Sequence, residues 1–431
     1  MTIEQFYKIF LQHPIISTDT RKIEKDSLFF ALKGERFNAN TFAEQALEQG
    51  AAYAIIDDED YRKSDKYILV DDVLVFLQNL AKYHRQQLQI PVVAIVGSNG
   101  KTTTKELIHS VLSEKFVTLS TPGNFNNHIG LPLTLLMIRP EHQMAAIEMG
   151  ANHVGENAFL CEIAEPNFGL ITNNGKDHLE GFGSIEGVAK SNSELYYYLL
   201  KNSGLAFVNA HDEWLLRMAS RLENKKTYAG NFEGKEKAAD YLAFASQLQP
   251  NIEFNIQQSS SITSHLSGDY NFDNIMAAVA IGLYFEMTEA EIKRGIEKYQ
   301  PKNNRSQIVK TSKNTIYMDA YNANPSSMEM AINNTAMMPN PSKVFILGDM
   351  FELGAYAEEE HKNIIYLCQQ LKLENVMLVG SEFKKYNTSD YMCFETTQEA
   401  KDYLINAPLR DNFVFIKGSR GMKLEGLLEA L

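Results

Sequence analysis

At 431 residues the chain is too long for one ordinary hydrophobic core, and its length sets an expectation of about three domains. A net charge of −13 argues against nucleic acid or anionic membrane as partner, since such surfaces are bound through excess lysine and arginine; anionic ligands need local cationic pockets. Cys161, Cys368 and Cys393 form neither a metal knuckle nor an even disulfide set and read as reduced thiols of a cytoplasmic protein, and no apolar run is long enough to cross a bilayer.

Residues 1–87 alternate short strands and helices: SLFFAL (27–32) and AYAIID (52–57) as strands, TFAEQALEQG (41–50) as a helix ending at Gly50. The helical segment 73–88 leads to Ile90-Pro91, where the strand VVAIV (92–96) opens a new rhythm, so a boundary is placed near 87. A glycine-rich loop, a helix and the strands MAAIEM (144–149), FGLIT (168–172) and LAFVNA (205–210) follow in the order of a parallel sheet with crossover helices, spanning 88–304. The polar patch QQSSSITSH (257–265) reads as a loop or solvated strand pair. From 305 to 431 the rhythm repeats, with TIYMDA, KVFILGD, NVMLVG and FVFIKGS as strands.

The strand 92–96 runs straight into Gly97-Ser98-Asn99-Gly100-Lys101-Thr102-Thr103. The usual Walker A loop has four residues between its glycines; here Ser98 and Asn99 alone separate Gly97 from Gly100. Backbone N–H groups at the following helix start would still point into the loop with the positive dipole end behind them, Lys101 can neutralise phosphate charge, and the Thr102 hydroxyl can ligate Mg²⁺. Gly-Lys-Thr also occurs by chance, and the strand–loop–helix context favours the phosphate reading. Glu148 and His178 fall near carboxyl ends of strands in the same sheet; Glu148 is the better Mg²⁺ ligand, and His178 taken alone is more often a hydrogen-bonded loop residue. Asn124, Asn126 and Asn127 in TPGNFNNHIG fit a capped turn or a polar-ligand site equally well. DAYNANPSSM (319–328) and KGSRGM (417–422) also follow strands, where open α/β sheets place ligands, with an Asx turn and a solvated basic turn as the plainer alternatives.

In this order, STDTRK, FFALKGERFNANTF, GSNGKTT, TPGNFNNHIGLPLTLL, EMGANHVGE, DAYNANPSSM, ILGDMFELG and KGSRGM make the chain resemble the Mur ligase family along nearly its whole length. The family's ATP loop is of the short GxxGKT[ST] kind. The resemblance implies an α/β protein of three domains: a small UDP-binding domain (1–87), a central parallel-sheet P-loop domain (88–304) and a Rossmann-like third domain (305–431). Within the family it is nearest the branch that joins D-Ala-D-Ala to UDP-N-acetylmuramoyl-tripeptide, which implies an ATP-dependent, monomeric, cytoplasmic ligase of peptidoglycan synthesis. It assigns Asp19, Thr20, Arg21, Lys33 and Arg36 to the UDP end, and Asn126 and Asn127 to the sugar and peptide. It assigns Asn271 and Asn274 to adenine, Arg305, Asp319 and Asn322 to closing over the nucleotide, and Lys101, Glu148 and His178 to catalysis. One or two Mg²⁺ would be held by Thr102, Glu148 and His178. A folylpolyglutamate-type ligase leaves DTRK and KGERF unexplained; a non-catalytic paralogue is the reading from another class.

Two positions depart from the family pattern. Tyr270-Asn271 replaces His-Asn in the adenine segment, keeping a ring. In GVAKSNSEL the lysine that the family carbamoylates falls on Asn192, which cannot be carbamoylated. A bound chloride, the Glu194 carboxylate or a slipped register onto Lys190 are the substitutes to test.

Overall fold

The computed structural model describes residues 1–34, 37–256, 260–340 and 342–431. At its centre the strand Val92–Val96 is flanked on both sides by parallel neighbours, Met144–Glu148 and Phe168–Ile171. All five of its residues are buried, as an uninterrupted apolar run requires when helices cover both faces of a sheet. The sheet runs, in spatial order, Thr118–Ser120, Met144–Glu148, Val92–Val96, Phe168–Ile171, Leu205–Asn209, Lys225–Asn231 and Tyr241–Gln247, all parallel; Glu253–Ile256 and Ile262–Thr263 then continue it antiparallel. The expected parallel sheet is thus present with an antiparallel margin, and part of the 257–265 patch is its outermost strand, residues 257–259 lying outside the described residues. After Val92–Val96 the chain goes first to the edge strand Thr118–Ser120 and back to Met144–Glu148 on one side, then crosses to Phe168–Ile171 on the other. The loop at residue 97 therefore sits at a topological switch point, where such sheets open a crevice.

One face of this sheet is covered by the helices Lys101–Leu112, Asp269–Tyr284 and Glu289–Lys298. The other packs with Glu156–Ala164, Ile185–Lys201 and Val73–Gln87 into a core that runs on without a break into the first domain through Phe6, Phe10, Leu28 and Phe30. Truncating one of these phenylalanines to alanine would cost roughly 3–5 kcal/mol. The helix Val73–Gln87 fastens the two units: His84 meets the Tyr7 hydroxyl (2.9 Å) and the Ile138 carbonyl (3.0 Å), while Arg85 donates to Ala164 O and Asn167 Oδ1, both at 3.0 Å.

The first domain is a four-stranded parallel sheet in the order Ile16–Ser17, Leu28–Phe30, Tyr53–Ile56, Tyr67–Leu69. Alternation along it sends Leu28, Phe30 and Ile55 to the shared core, and Phe29, Ala54 and Ile56 to a smaller one under the helix Ala43–Glu48. The third domain is a six-stranded sheet in the order Gln307–Lys310, Thr315–Asp319, Phe413–Lys417, Lys343–Gly348, Val376–Val379, Met392–Phe394, with only the first pair antiparallel. Its core accepts Leu179 from the central domain, and Glu180 N–H donates to Glu352 O at 3.1 Å, so the segment after Phe168–Ile171 is seated on the third domain. Among the described residues no helix is long and apolar enough to cross a membrane.

Candidate active site

The loop from Gly97 to Gly100 enters the helix Lys101–Leu112, whose first residues keep backbone N–H groups free of intrahelical partners. Gly97 and Gly100 have φ of +129° and +77°, and neither site has room for a side chain. A Cβ would lie 2.2 Å from Thr172 Oγ1 at the first and 2.5 Å from Asn274 Oδ1 at the second. Gly100→Ala should therefore destabilise the protein by about 1–3 kcal/mol, combining left-handed strain with displacement of Asn274. Equilibrium urea unfolding of the variant checks this; an unchanged midpoint would contradict it.

Above the loop lies a cavity of about 230 Å³ between the central and third domains. Ser98, Asn99, Gly100, Lys101, Thr102 and Thr103 form its floor, with Glu148 and His178 beside them. Asn271 and Asn274 line it from the helix Asp269–Tyr284, and Arg305, Asp319 and Asn322 from the third domain. Of the residues assigned to ATP, only Gly97 lies behind the wall, where its carbonyl, with that of Ser98 at 3.1 Å, accepts from Lys101 Nζ. The cations Lys101, Arg305 and Lys417 line this cavity together with the carboxylates of Glu148, Asp177 and Asp319.

Third-domain partners complete the wall. Asp319 Oδ2 pairs with Lys417 Nζ at 2.6 Å and Oδ1 accepts from Ser306 N–H at 3.0 Å. The Arg305 guanidinium stacks 3.6 Å above the Tyr321 ring. Tyr270, at the position where the family pattern has histidine, puts its hydroxyl 3.1 Å from that of Tyr317, so the replacement ring reaches across to the third domain. Asp177 lies 3.7 Å from Lys101 Nζ and 3.6 Å from His178 Nε2. Burial disfavours the charged His178 ring, and the carboxylates of Glu352, 2.5 Å from Nδ1, and Asp177 outweigh it, raising the imidazole pKa above its ordinary value. Tyr321, Asn324 and Lys417 were not singled out from the sequence, although each falls in a segment that was, and neither was Asp177, the neighbour of His178.

The donor set fits Mg²⁺. Glu148 is 2% exposed; its Oε1 accepts from Asn126 Nδ2 at 2.8 Å, while Oε2 is buried with no hydrogen-bond partner. An orphaned carboxylate oxygen in a residue that lines the same cavity as Thr102 suits a hard cation that keeps waters and phosphate oxygens as its other ligands. No cluster of three or more His, Cys, Asp or Glu able to hold a metal occurs among the described residues. His178 holds Nδ1 against Glu352 and leaves Nε2 as its one ligand atom.

A second cavity, about 590 Å³, shares Lys101, Asn126 and His178 with the first and extends past Asn127, Asn152 and Gln78 toward the first domain. Asn127 lines it while its side chain closes the turn ahead of the helix Gly130–Leu135, accepting from Ile129 N–H (3.1 Å) and Gly130 N–H (2.9 Å). Asp19, Thr20, Arg21 and Lys33 line neither cavity. Asp19 and Lys33 follow adjacent parallel strands of the first domain, Asp19 paired with Arg21 (2.7 Å) and Lys33 with Asp57 (2.8 Å); Arg36 lies outside the described residues. Asn192 is buried and donates to Asn174 Oδ1 at 3.1 Å. Two of the three suggested substitutes for a carbamate fall here. Glu194 spends both oxygens on Gly155 N–H (2.6 Å) and Ala158 N–H (2.9 Å) at a helix start, and Lys190, two residues and about 200° around the helix, is exposed.

Three family models match in succession: "Mur ligase family, catalytic domain" over residues 14–93, "Mur ligase middle domain" over 95–282 and "Mur ligase, glutamate ligase domain" over 304–420. The UDP-N-acetylmuramoyl-tripeptide--D-alanyl-D-alanine ligase of Bacillus subtilis is 36% identical, the alignment covering 96% of this chain and 92% of that protein. This chain belongs to the Mur ligase family. The Escherichia coli ligase of the same name is 34% identical over 96% of this Mur ligase and 93% of its own length. Among solved structures, MurF from Acinetobacter baumannii superposes with a TM-score of 0.84 at 33% identity, covering 96% of this chain and 92% of that one. MurF from Thermotoga maritima in complex with ADP gives 0.83 at 25% identity, covering 97% of each chain.

Proposed function

We propose that this Mur ligase adds D-Ala-D-Ala to UDP-N-acetylmuramoyl-tripeptide at the expense of ATP, as a cytoplasmic monomer in peptidoglycan synthesis. The observation that carries this reading is the meeting of the two cavities at Lys101, Asn126 and His178: a carboxylate in the second can reach the γ-phosphate of a nucleotide in the first. The terminal carboxylate oxygen of the tripeptide attacks the γ-phosphorus and ADP leaves; the dipeptide amine then attacks the acyl carbon, phosphate leaves with the C–O bond electrons, and the amine loses a proton. Lys101 and the helix-start N–H groups neutralise and orient the phosphates. Asn271 and Asn274 hold adenine; Arg305, Asp319 and Asn322 close the cleft against water, which would hydrolyse the acyl phosphate. Asp19, Thr20, Arg21, Lys33 and Arg36 hold the UDP end, with Asn126 and Asn127 nearer the sugar and peptide. Glu148 Oε2, Thr102 Oγ1 and His178 Nε2 would hold Mg²⁺, which when bound supplies charge neutralisation at the transferring phosphoryl group.

For the space beside Asn192, an exchangeable chloride is the substitute that survives the geometry of Glu194 and Lys190. Exchanging chloride for acetate at fixed ionic strength should lower turnover; equal rates would remove the chloride. The function itself is tested by ADP release with each substrate omitted in turn. Turnover requiring both the UDP-tripeptide and D-Ala-D-Ala is expected, and ADP release that ignores the dipeptide would overturn the assignment.

A further inference from the structure

Asn324 is the residue that caps the third-domain helix Pro325–Met337, and each polar atom of its side chain is committed. Its Oδ1 accepts from Ser327 N–H at 2.8 Å. Its Nδ2 reaches out of the third domain to two central-domain acceptors, Asn99 Oδ1 at 2.8 Å and Asp177 Oδ1 at 3.1 Å. A backbone N–H only donates and a carboxylate only accepts, so the Asn324 amide has a single workable orientation. That orientation dictates the next one: Asn99 must offer its oxygen to Asn324, since a flipped amide would set donor against donor. The Asn99 backbone is immobilised too, its N–H donating to Asn173 Oδ1 (3.0 Å) and its carbonyl accepting from Thr172 Oγ1 (2.6 Å) and Asn173 Nδ2 (3.0 Å). What remains is Asn99 Nδ2, buried in the phosphate loop without a hydrogen-bond partner, in a residue that lines the nucleotide cavity. Burying a donor unpaired is costly unless a ligand completes it.

We propose that Asn324 is a positioning residue that turns the Asn99 amide so that its N–H donates to a phosphate oxygen of the bound nucleotide, making full phosphate binding conditional on a seated third domain. The inference rests on the ATP-binding reading of the cavity and not on the identity of the acceptor. Asp177 serves as the reference that keeps Asn324 in register, and it stands between Lys101 and His178, so a third-domain residue is wired to the charged groups at the junction of both cavities. In sequence, Asn324 looks like an ordinary Asx cap; its second role depends on a partner 225 positions away.

The test is a double-mutant cycle in the full-length protein, read by calorimetric affinity for a non-hydrolysable ATP analogue with Mg²⁺. Asn324→Ser keeps a capping hydroxyl while losing the amide that bridges to Asn99 and Asp177. Asn324→Asp keeps the cap and the shape and replaces the donor by an acceptor facing Asp177, so it provides a second route if the serine variant folds poorly. Asn99→Ala removes the presented amide. Each single change should weaken analogue binding about five- to tenfold, and the double variant should be no weaker than Asn99→Ala within about twofold. In turnover, KM for ATP should rise more than kcat falls. Effects that multiply in the double variant, or a position-324 variant that melts earlier with unchanged affinity, would overturn the proposal and leave Asn324 a structural cap. A wild-type protein that binds the analogue yet ignores D-Ala-D-Ala would sink the ligase assignment and leave this cycle fully decisive.

Discussion

Lys101→Ala should lower kcat by about 10²- to 10³-fold, equivalent to about 2.7–4 kcal/mol of lost transition-state stabilisation, with the fold retained. Lys101 Nζ rests on the carbonyls of Gly97 and Ser98, with its nearest carboxylate, on Asp177, at 3.7 Å, so the side chain is tethered to the phosphate loop and not consumed by a close ion pair. It is also one of three residues common to both cavities, the point at which charge develops when a carboxylate meets the γ-phosphate. Removing it deletes a cation that helps bind ATP and is needed more as phosphoryl transfer proceeds, so kcat should suffer beyond KM. Steady-state kinetics at saturating ATP checks this. A rise in KM with kcat intact would reduce Lys101 to a binding residue.

Glu148→Gln has the second largest expected effect, and its signature is a split between activity and stability. Glutamine retains the oxygen that accepts from Asn126 and the volume of the buried side chain, and gives up the negative charge of an oxygen that has no protein partner. A buried carboxylate with one hydrogen bond is a strained arrangement when no cation is present, so the nucleotide-free variant should melt no lower than the wild type. With ATP and Mg²⁺ the same change should cut kcat by about 10²-fold or more, because a hard cation loses the one carboxylate among Thr102, Glu148 and His178. Melting curves with and without Mg²⁺-nucleotide, alongside kinetics, separate the two. A variant that loses stability in the free state as much as it loses activity would recast Glu148 as a structural residue.

Much of the centre of this molecule could be read from the chain. The strand Val92–Val96 and the first four residues of Phe413–Lys417 are continuous apolar runs because both faces are covered, and a glycine loop after such a run has few structural meanings. The margins were not legible for the converse reason. Gln307–Lys310 alternates half-buried and exposed positions, and Tyr241–Gln247 is largely exposed beyond Ala243, so neither carries a strong apolar signal. In the site, residues at a strand end whose own chemistry marks them, such as Glu148, were within reach. Residues defined by a partner in another domain were not: Lys417 matters through Asp319, Tyr321 through Arg305, and Asn324 through Asn99 and Asp177. Asn127, drawn toward substrate by its family pattern, also uses its side chain to close a local turn. Glu194 is likewise engaged: its proximity to Asn192 in sequence conceals a commitment to the start of a neighbouring helix.

The most direct test of the account follows oxygen. UDP-N-acetylmuramoyl-tripeptide labelled with ¹⁸O in its terminal carboxylate is incubated with ATP, Mg²⁺ and D-Ala-D-Ala, and the released phosphate is weighed by mass spectrometry. One carboxylate oxygen should appear in phosphate for each amide bond formed, because it bridges carbon and phosphorus in the acyl phosphate and leaves with phosphorus when the amine attacks. Amide formation with unlabelled phosphate would contradict the account at its centre.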